Sequence, residues 1–178
     1  SDINEILIKH EALMLGYYKD EKQTNEIIKD GWLHTGDEGS IDSDGFLKIT
    51  GRVKDIFKTS KGKYIAPTPI EMKLSENNYI EQVCVVGNGI PQPIALAVLS
   101  ESAHVAADLN ESISKTLEDV NNTLEKHEVL NNIVLLKENW TVENKFLTPT
   151  MKIKRNSIEK KYQANYTKWY DEDKIVKI

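Results

Sequence analysis

The period of apolar and polar positions changes several times along the chain, and each change marks an element. Ile3, Ile6 and Ile8 outline a strand over residues 3–8 that begins without a partner or an initiating methionine, as a cut end would. Residues 21–29 read as a short helix stopped by Asp30-Gly31. Trp32 to Asp37 bends at Gly36, and a β-turn at Asp42-Ser43-Asp44-Gly45 joins residues 38–41 to residues 46–50. Alternation through Asp55-Ile56-Phe57-Lys58-Thr59 and Lys63-Tyr64-Ile65-Ala66 predicts two short strands turning at Ser60-Lys61-Gly62, where glycine accepts a positive φ. Thr68 as N-cap, Pro69 at the first helical position and Glu71 closing a capping box predict a helix over 69–77. Strands follow over 79–86 and 93–99 around the turn Gly87-Asn88-Gly89. Ile113, Leu117, Val120 and Leu124 recur at helical spacing over 112–126, and a further strand covers 133–137. A last helix over 156–169 carries Ile158, Tyr162, Tyr166 and Trp169 on one stripe, most simply core or domain-contact residues.

This order of elements predicts an α+β fold: a small mixed or antiparallel sheet flanked by helices from about residue 55 onward, preceded by a short β-rich segment. The 178 residues are 39% hydrophobic and 29% charged, which suffices for a folded core. A net charge of −5 argues against a general nucleic-acid role, which wants a basic face toward phosphates. The single cysteine, Cys84, lies in the apolar run Val83-Cys84-Val85-Val86 and reads as a buried strand residue. With no disulfide framework and no signal peptide evident, a cytoplasmic location is the expectation; peripheral membrane attachment stays open.

Against this acidic background, Arg52, Lys54, Lys58, Lys61 and Lys63 are concentrated between Gly51 and Glu71. Thr59-Ser60-Lys61-Gly62-Lys63 is not a Walker loop, since the first glycine and the final hydroxyl are absent. Asp42-Ser43-Asp44-Gly45 is not a calcium loop, because the frame puts Ser40 and Gly51 where an aspartate and a glutamate are needed, and no metal site is expected elsewhere. Three other features admit two readings on the residues alone. Gly36-Asp37 is either a plain turn or a carboxylate placed to accept hydrogen bonds from a ribose. Arg52 is either a surface cation or a forked donor to sugar or phosphate oxygens. The basic cluster around Lys152 is either a solvated loop or a charge that enters a site. His34 reads as structural.

Four motifs occur in order: Gly16-Tyr17-Tyr18-Lys19 with Gln23-Thr24, Trp32-Leu33-His34-Thr35-Gly36-Asp37, the stretch from Gly51 to Glu71, and Thr148-Pro149-Thr150-Met151-Lys152-Ile153-Lys154-Arg155. Together they resemble the AMP-forming acyl-CoA synthetases, or adenylate-forming ligases, and most closely the long-chain fatty acid CoA ligases. The resemblance spans essentially the whole chain but only the last third of such an enzyme. It implies that residues 1–53 are the end of a large N-terminal adenylation domain and residues 54–178 a mobile C-terminal domain. It also implies a parent enzyme that converts a fatty acid and Mg-ATP to an acyl-adenylate and then transfers the acyl group to CoA. On that resemblance Asp37 and Arg52 bind the nucleotide, Lys54 is the hinge, Lys152 is catalytic in adenylate formation, and Lys58 and Gly62 belong to the face used for thioesterification. Lys61 departs from the pattern, standing where many relatives have glycine. The implied partners are the missing N-terminal domain, fatty acid, ATP and CoA, with no tightly bound cofactor, and the fragment alone is expected to be inert. The rival readings are an adenylation domain that loads a carrier protein and a non-catalytic binding module.

Overall fold

A computed structural model describes residues 4–178, so the start of the first predicted strand at Ile3 lies outside the described residues. The chain divides between Lys54 and Asp55 into two compact units.

In the first unit β1 (Glu5–Ile8) is followed by α1 (Glu21–Ile27), β2 (Ile28–Lys29), β3 (Trp32–Ile41) and β4 (Leu47–Arg52). The long β3 pairs antiparallel with each of the other three strands. Asp20 caps α1, its Oδ1 accepting from the Gln23 amide at 2.9 Å. The predicted helix ends two residues early, because Asp30 and Gly31, with φ of 52° and 77°, form the two-residue turn of a β2–β3 hairpin in which Lys29 opposes Trp32. Asp42 closes the next turn, its Oδ1 accepting from the amides of Asp44 and Phe46 at 3.0 and 2.9 Å. Gly51 is the one buried residue among those described in this unit, while Ile41, Phe46, Leu47 and Ile49 are all exposed.

The second unit opens on a 3₁₀ turn, Val53–Asp55, shared with the boundary. Then come β5 (Phe57–Lys58), β6 (Tyr64–Ile65), α2 (Pro67–Leu74), β7 (Ile80–Val86), β8 (Ile94–Leu99), α3 (Leu109–Asn121), β9 (Ile133–Leu136), α4 (Arg155–Tyr162), α5 (Tyr166–Tyr170) and β10 (Ile175–Lys177). Four strands form a mixed sheet in the order β10-β9-β8-β7, antiparallel between β7 and β8 and parallel at the other two pairings. Its strands are buried on both faces, which explains their continuous apolar runs. Val83, Val85, Ala95, Ala97, Ile133 and Leu135 pack with α2, α3 and the β5–β6 hairpin. Cys84, Val86, Leu96, Val98, Val134 and Leu136 pack with Trp140, Phe146, Leu147 and the aromatic stripe of α4 and α5. The fold is therefore α+β, with the sheet between two helical layers.

Three helical expectations are corrected. The capping box at Thr68 and Glu71 does not form: α2 starts at Pro67 with Ala66 at the N-cap and no side-chain cap bond. Prolines at its first and third positions carry no N–H, so two of the orphan donors a cap would satisfy do not exist. The third helix runs over Leu109–Asn121, not 112–126, and stops where the Asn121 side chain both donates to Leu130 O at 2.9 Å and accepts from Leu130 N at 2.8 Å. The last helix is broken by a 3₁₀ turn at Gln163–Asn165 into α4 and α5, yet Ile158, Tyr162, Tyr166 and Trp169 are all buried. Strand β10 follows a charged tail and was not expected.

The β5–β6 hairpin is fixed by two contacts. The Ser60 amide donates to Ile90 O at 3.0 Å, and Phe57 fills the space above Gly87. A Cβ at Gly87 would lie 2.6 Å from Phe57 Cε2 and 3.1 Å from Pro93 Cα. Gly87→Ala is expected to cost about 1–3 kcal/mol in urea unfolding through overpacking, and distinctly less in a Phe57→Leu background, where the ring is gone.

Tyr162 is held neutral by burial and by donating to Glu138 Oε2 at 3.0 Å, and its hydroxyl is pushed up to about 12. The folded state therefore keeps this proton after the unfolded chain has lost it. Its contribution to stability is complete below the ordinary tyrosine pKa of about 10 and is lost as pH rises toward about 12. Thermal unfolding followed across that alkaline window should show a falling Tm, with a shallower fall in Tyr162→Phe.

Candidate functional site

In the first unit, Asp37 and Arg52 face each other across β3 and β4 as a register pair, and Arg52 Nη1 donates to Asp37 Oδ1 at 2.5 Å. The contact is a charge-assisted hydrogen bond between a half-buried carboxylate and a more exposed guanidinium. The segment before Asp37 is fastened to β1. Glu5 accepts from the Gly36 amide through Oε1 at 2.9 Å and meets His34 Nδ1 through Oε2 at 2.9 Å. Thr35 donates to Ile6 O at 2.8 Å and accepts from the Asp37 amide at 3.1 Å. The His34 bond is the main reason the Glu5 carboxyl lies below its usual range. His34 thus acts in positioning the strand; the expected bend at Gly36 is not a turn but a positive-φ residue, +71°, inside the continuous β3, where the pairing with β1 is bulged, and Asp37 follows it beside Arg52.

In the second unit the predicted residues fall on two loops. Lys58, on β5, places its ammonium 5.3 Å from the centre of the Tyr64 ring across the hairpin. The turn is tight, with the Thr59 amide donating to Lys63 O and the Gly62 amide to Thr59 O, both at 2.9 Å. Gly62 has φ +79°, a conformation that glycine takes without penalty. Lys54 lies exposed in the 3₁₀ turn at the boundary.

Lys152 sits on a short loop whose base is the bridge between Leu147 and Ile153. Thr148 organises it: its amide donates to Lys152 O at 2.8 Å, its carbonyl accepts from Met151 N at 2.8 Å, and its hydroxyl accepts from Lys152 N at 3.0 Å. Leu147 is buried, while the Lys152 side chain is exposed. A long cation therefore projects from an anchored base. The anchors of the two loops differ: Phe57 and Ile65 bury the β5–β6 hairpin in the layer of α2 and α3, whereas Leu147 and Ile153 bury the Lys152 loop in the layer of α4 and α5.

Sequence reasoning missed what joins these layers. Arg155, at the start of α4, is nearly buried and donates through Nη2 to Glu71 Oε1 at 2.6 Å and through Nη1 to Val85 O at 2.7 Å. The same Glu71 oxygen accepts from Val85 N at 2.7 Å. Cys84 Sγ lies 3.1 Å from Nη1, and Asp55 Oδ1 lies 4.0 Å from Nε. Burial raises the Glu71 carboxyl, with Arg155 pulling in the opposite direction. Burial also opposes the charge on Arg155, but its neighbours, Glu71 and Asp55 among them, outweigh that and hold the guanidinium firmly charged. The only available signal was Glu71 in a helix without need of a capping box.

The second unit is a domain of a type found at the C-terminal end of AMP-binding enzymes. The model superposes with a TM-score of 0.78 on the adenylation domain of a carboxylate reductase from Mycobacterium chelonae, at 23% identity, covering 94% of this chain and 28% of that one. Residues 54–174 match the family model described as the AMP-binding enzyme C-terminal domain. The chain belongs to that family. Among curated relatives, fatty acyl-CoA synthetase B of Dictyostelium discoideum is 34% identical over 93% of this chain and 28% of its own length. Long-chain-fatty-acid–CoA ligase 5 of Rattus norvegicus is 36% identical over 94% of this chain and 28% of its own. The chain thus spans under a third of the length of these relatives.

Removing one member of the buried pair leaves the other uncompensated. Arg155→Met is expected to lower the stability of the second unit by about 3–5 kcal/mol, measured by urea unfolding. The double change Arg155→Met with Glu71→Met removes the stranded charge but leaves both the Val85 N–H and its C=O without partners, so it should recover only a minor part of that loss.

Proposed function

We propose that this chain is the C-terminal part of an AMP-forming long-chain fatty acid CoA ligase, comprising the end of its large domain and its mobile C-terminal domain. The observation that carries the reading is the rooting of two basic loops in opposite helical layers of one rigid unit. An enzyme with two successive half-reactions needs two such faces, and a passive binding module needs only one.

In this reading Asp37 accepts from the ribose hydroxyls of ATP, and Arg52 steadies the carboxylate and donates to sugar or phosphate oxygens. Lys152 reaches the reacting carboxylate and α-phosphate, where negative charge develops as the new acyl-phosphate bond forms and pyrophosphate leaves. The second unit then turns about Lys54, and the hairpin from Lys58 to Gly62 lines the approach of the CoA thiol, which takes the acyl group and releases AMP. Mg²⁺ enters with the triphosphate as substrate; among the described residues no group of three His, Cys, Asp or Glu side chains is placed to hold a metal ion. The exposed apolar side chains of β4 and the absence of a core among the described residues of the first unit support its being part of a larger domain. That domain supplies the adenine and acyl-chain walls, and the isolated chain does not form adenylate.

The test is fatty-acid-dependent AMP release by the full-length protein, with and without CoA. Lys152→Ala should slow adenylate formation by about 10²–10³-fold, the scale of losing one preorganised charge at a reacting centre, while conversion of preformed acyl-adenylate to acyl-CoA stays near wild type. Equal loss in both half-reactions would overturn the role given to Lys152, and failure of every carboxylate to elicit AMP would overturn the ligase reading.

A further inference from the structure

Within the second unit, three buried donors make no hydrogen bond among the described residues, Trp140 Nε1, the Tyr166 hydroxyl and Arg155 Nε, and of these Arg155 Nε has a carboxylate beside it. Arg155 uses both terminal nitrogens on Val85 and Glu71, but its Nε is buried and makes no hydrogen bond among the described residues. The nearest acceptor is Asp55 Oδ1 at 4.0 Å, too long for a hydrogen bond yet within reach of a small movement. Asp55 is the last residue of the 3₁₀ turn that holds Lys54, and its side chain is about 37% exposed, so it has room to move. Arg155 itself is fixed from three sides and follows Lys152 by three residues on the same anchored segment. A buried N–H left unpaired is costly, and a carboxylate beside it is the partner that would relieve the cost most.

We infer that Asp55 is a positioning residue of the hinge: the turn Val53–Asp55 has a second arrangement in which Asp55 closes on Arg155 Nε, and this pairing sets the balance between the two half-reactions. The inference rests on the ligase reading and on Lys54 as the point of rotation. Because Arg155 is held by Glu71, Val85 and Cys84, the closing atom is Asp55 Oδ1, and where that oxygen can reach depends on the backbone of the turn it shares with Lys54. Whichever orientation of the unit has the pair closed gains a charge-assisted hydrogen bond that the other lacks. The device thus biases the position of Lys152 without touching substrate.

Two substitutions at the half-exposed Asp55 separate this from a merely structural role. In full-length protein, Asp55→Asn weakens the closed arrangement by removing the charge, and Asp55→Glu favours it by adding one methylene of reach. The ratio of the adenylation rate to the rate of thioester formation from preformed acyl-adenylate should shift in opposite directions in the two variants, by at least about fivefold between them. Thermal midpoints should remain close to wild type. A ratio unmoved in both, or moved the same way in both, overturns the inference. If the wild type shows neither half-reaction, the ligase reading falls, and the inference is decided by hydrogen exchange in the peptide covering residues 53–58. Faster exchange than wild type in Asp55→Asn with slower exchange in Asp55→Glu supports the closing pair, and equal exchange in all three overturns it.

Discussion

The second unit depends on the way Glu71 and Arg155 close the open side of β7. This strand is the edge of the four-stranded sheet, so at Val85 both an N–H and a C=O point away from β8. Left in an apolar surrounding, each group would cost free energy, and left in water they would invite another strand. Glu71 takes the N–H and Arg155 takes the C=O, and the two charges bond to each other at 2.6 Å. The pair does for Val85 what a neighbouring strand would do, with side chains in place of backbone. Burying two charges is expensive, several kcal/mol for each ion before their attraction is counted. The expense is offset here because each charged group also satisfies a backbone group that had no other partner. One interaction thereby ties α2, β7 and α4 together around a strand edge.

That tie explains how two flexible cations can be carried on fixed bases. The Lys152 loop closes at Ile153, two residues before Arg155, and Leu147 and Ile153 anchor it in the layer of α4 and α5. The Lys58 hairpin leads directly into α2, whose Glu71 is the other half of the pair. A close-packed sheet between the two layers transmits displacement with little give, so the two loops move as one body. Their ammonium groups remain free to search, while the positions from which they search are set. Such a division suits chemistry in which the protein contributes charge and placement more than bond-making groups.

Much of this was legible in the residues, and what was not has identifiable causes. Runs such as Val83 to Val86 and the spacing of Ile158, Tyr162, Tyr166 and Trp169 announce burial directly, since local period and burial coincide there. Asp37 and Arg52 were read singly, but their pairing is a matter of strand register: the turn after Ile41 sets Ser40 opposite Lys48, and a bulge between Glu38 and Gly39 then shifts Asp37 opposite Arg52, neither of which alternation alone gives. Glu71 was misread because its position fits a local rule while its bonds run to residues 14 and 84 positions away. Strand β10 is only three residues long and is made by pairing with β9, not by its own composition. Asn131 and Asn132, which donate to Tyr170 O and Trp169 O and so pin the end of α5, look like ordinary loop residues until the fold brings those carbonyls to them.

On the ligase reading proposed above, the Asp37–Arg52 pair follows the same logic of placing charge where it acts. A nucleotide is recognised at two chemically different ends, a neutral diol that wants acceptors and a phosphate chain that wants cations. A bare carboxylate would serve the diol but repel the phosphates, and in a chain of net charge −5 that repulsion would add to the general field. Joining Asp37 to Arg52 removes the conflict, because the acceptor oxygens stay in place while the pair as a whole carries no net charge. On the ligase reading proposed above, the cations that meet developing negative charge, Lys152 first among them, belong to the other unit, so neither charge has to serve both ends of the nucleotide.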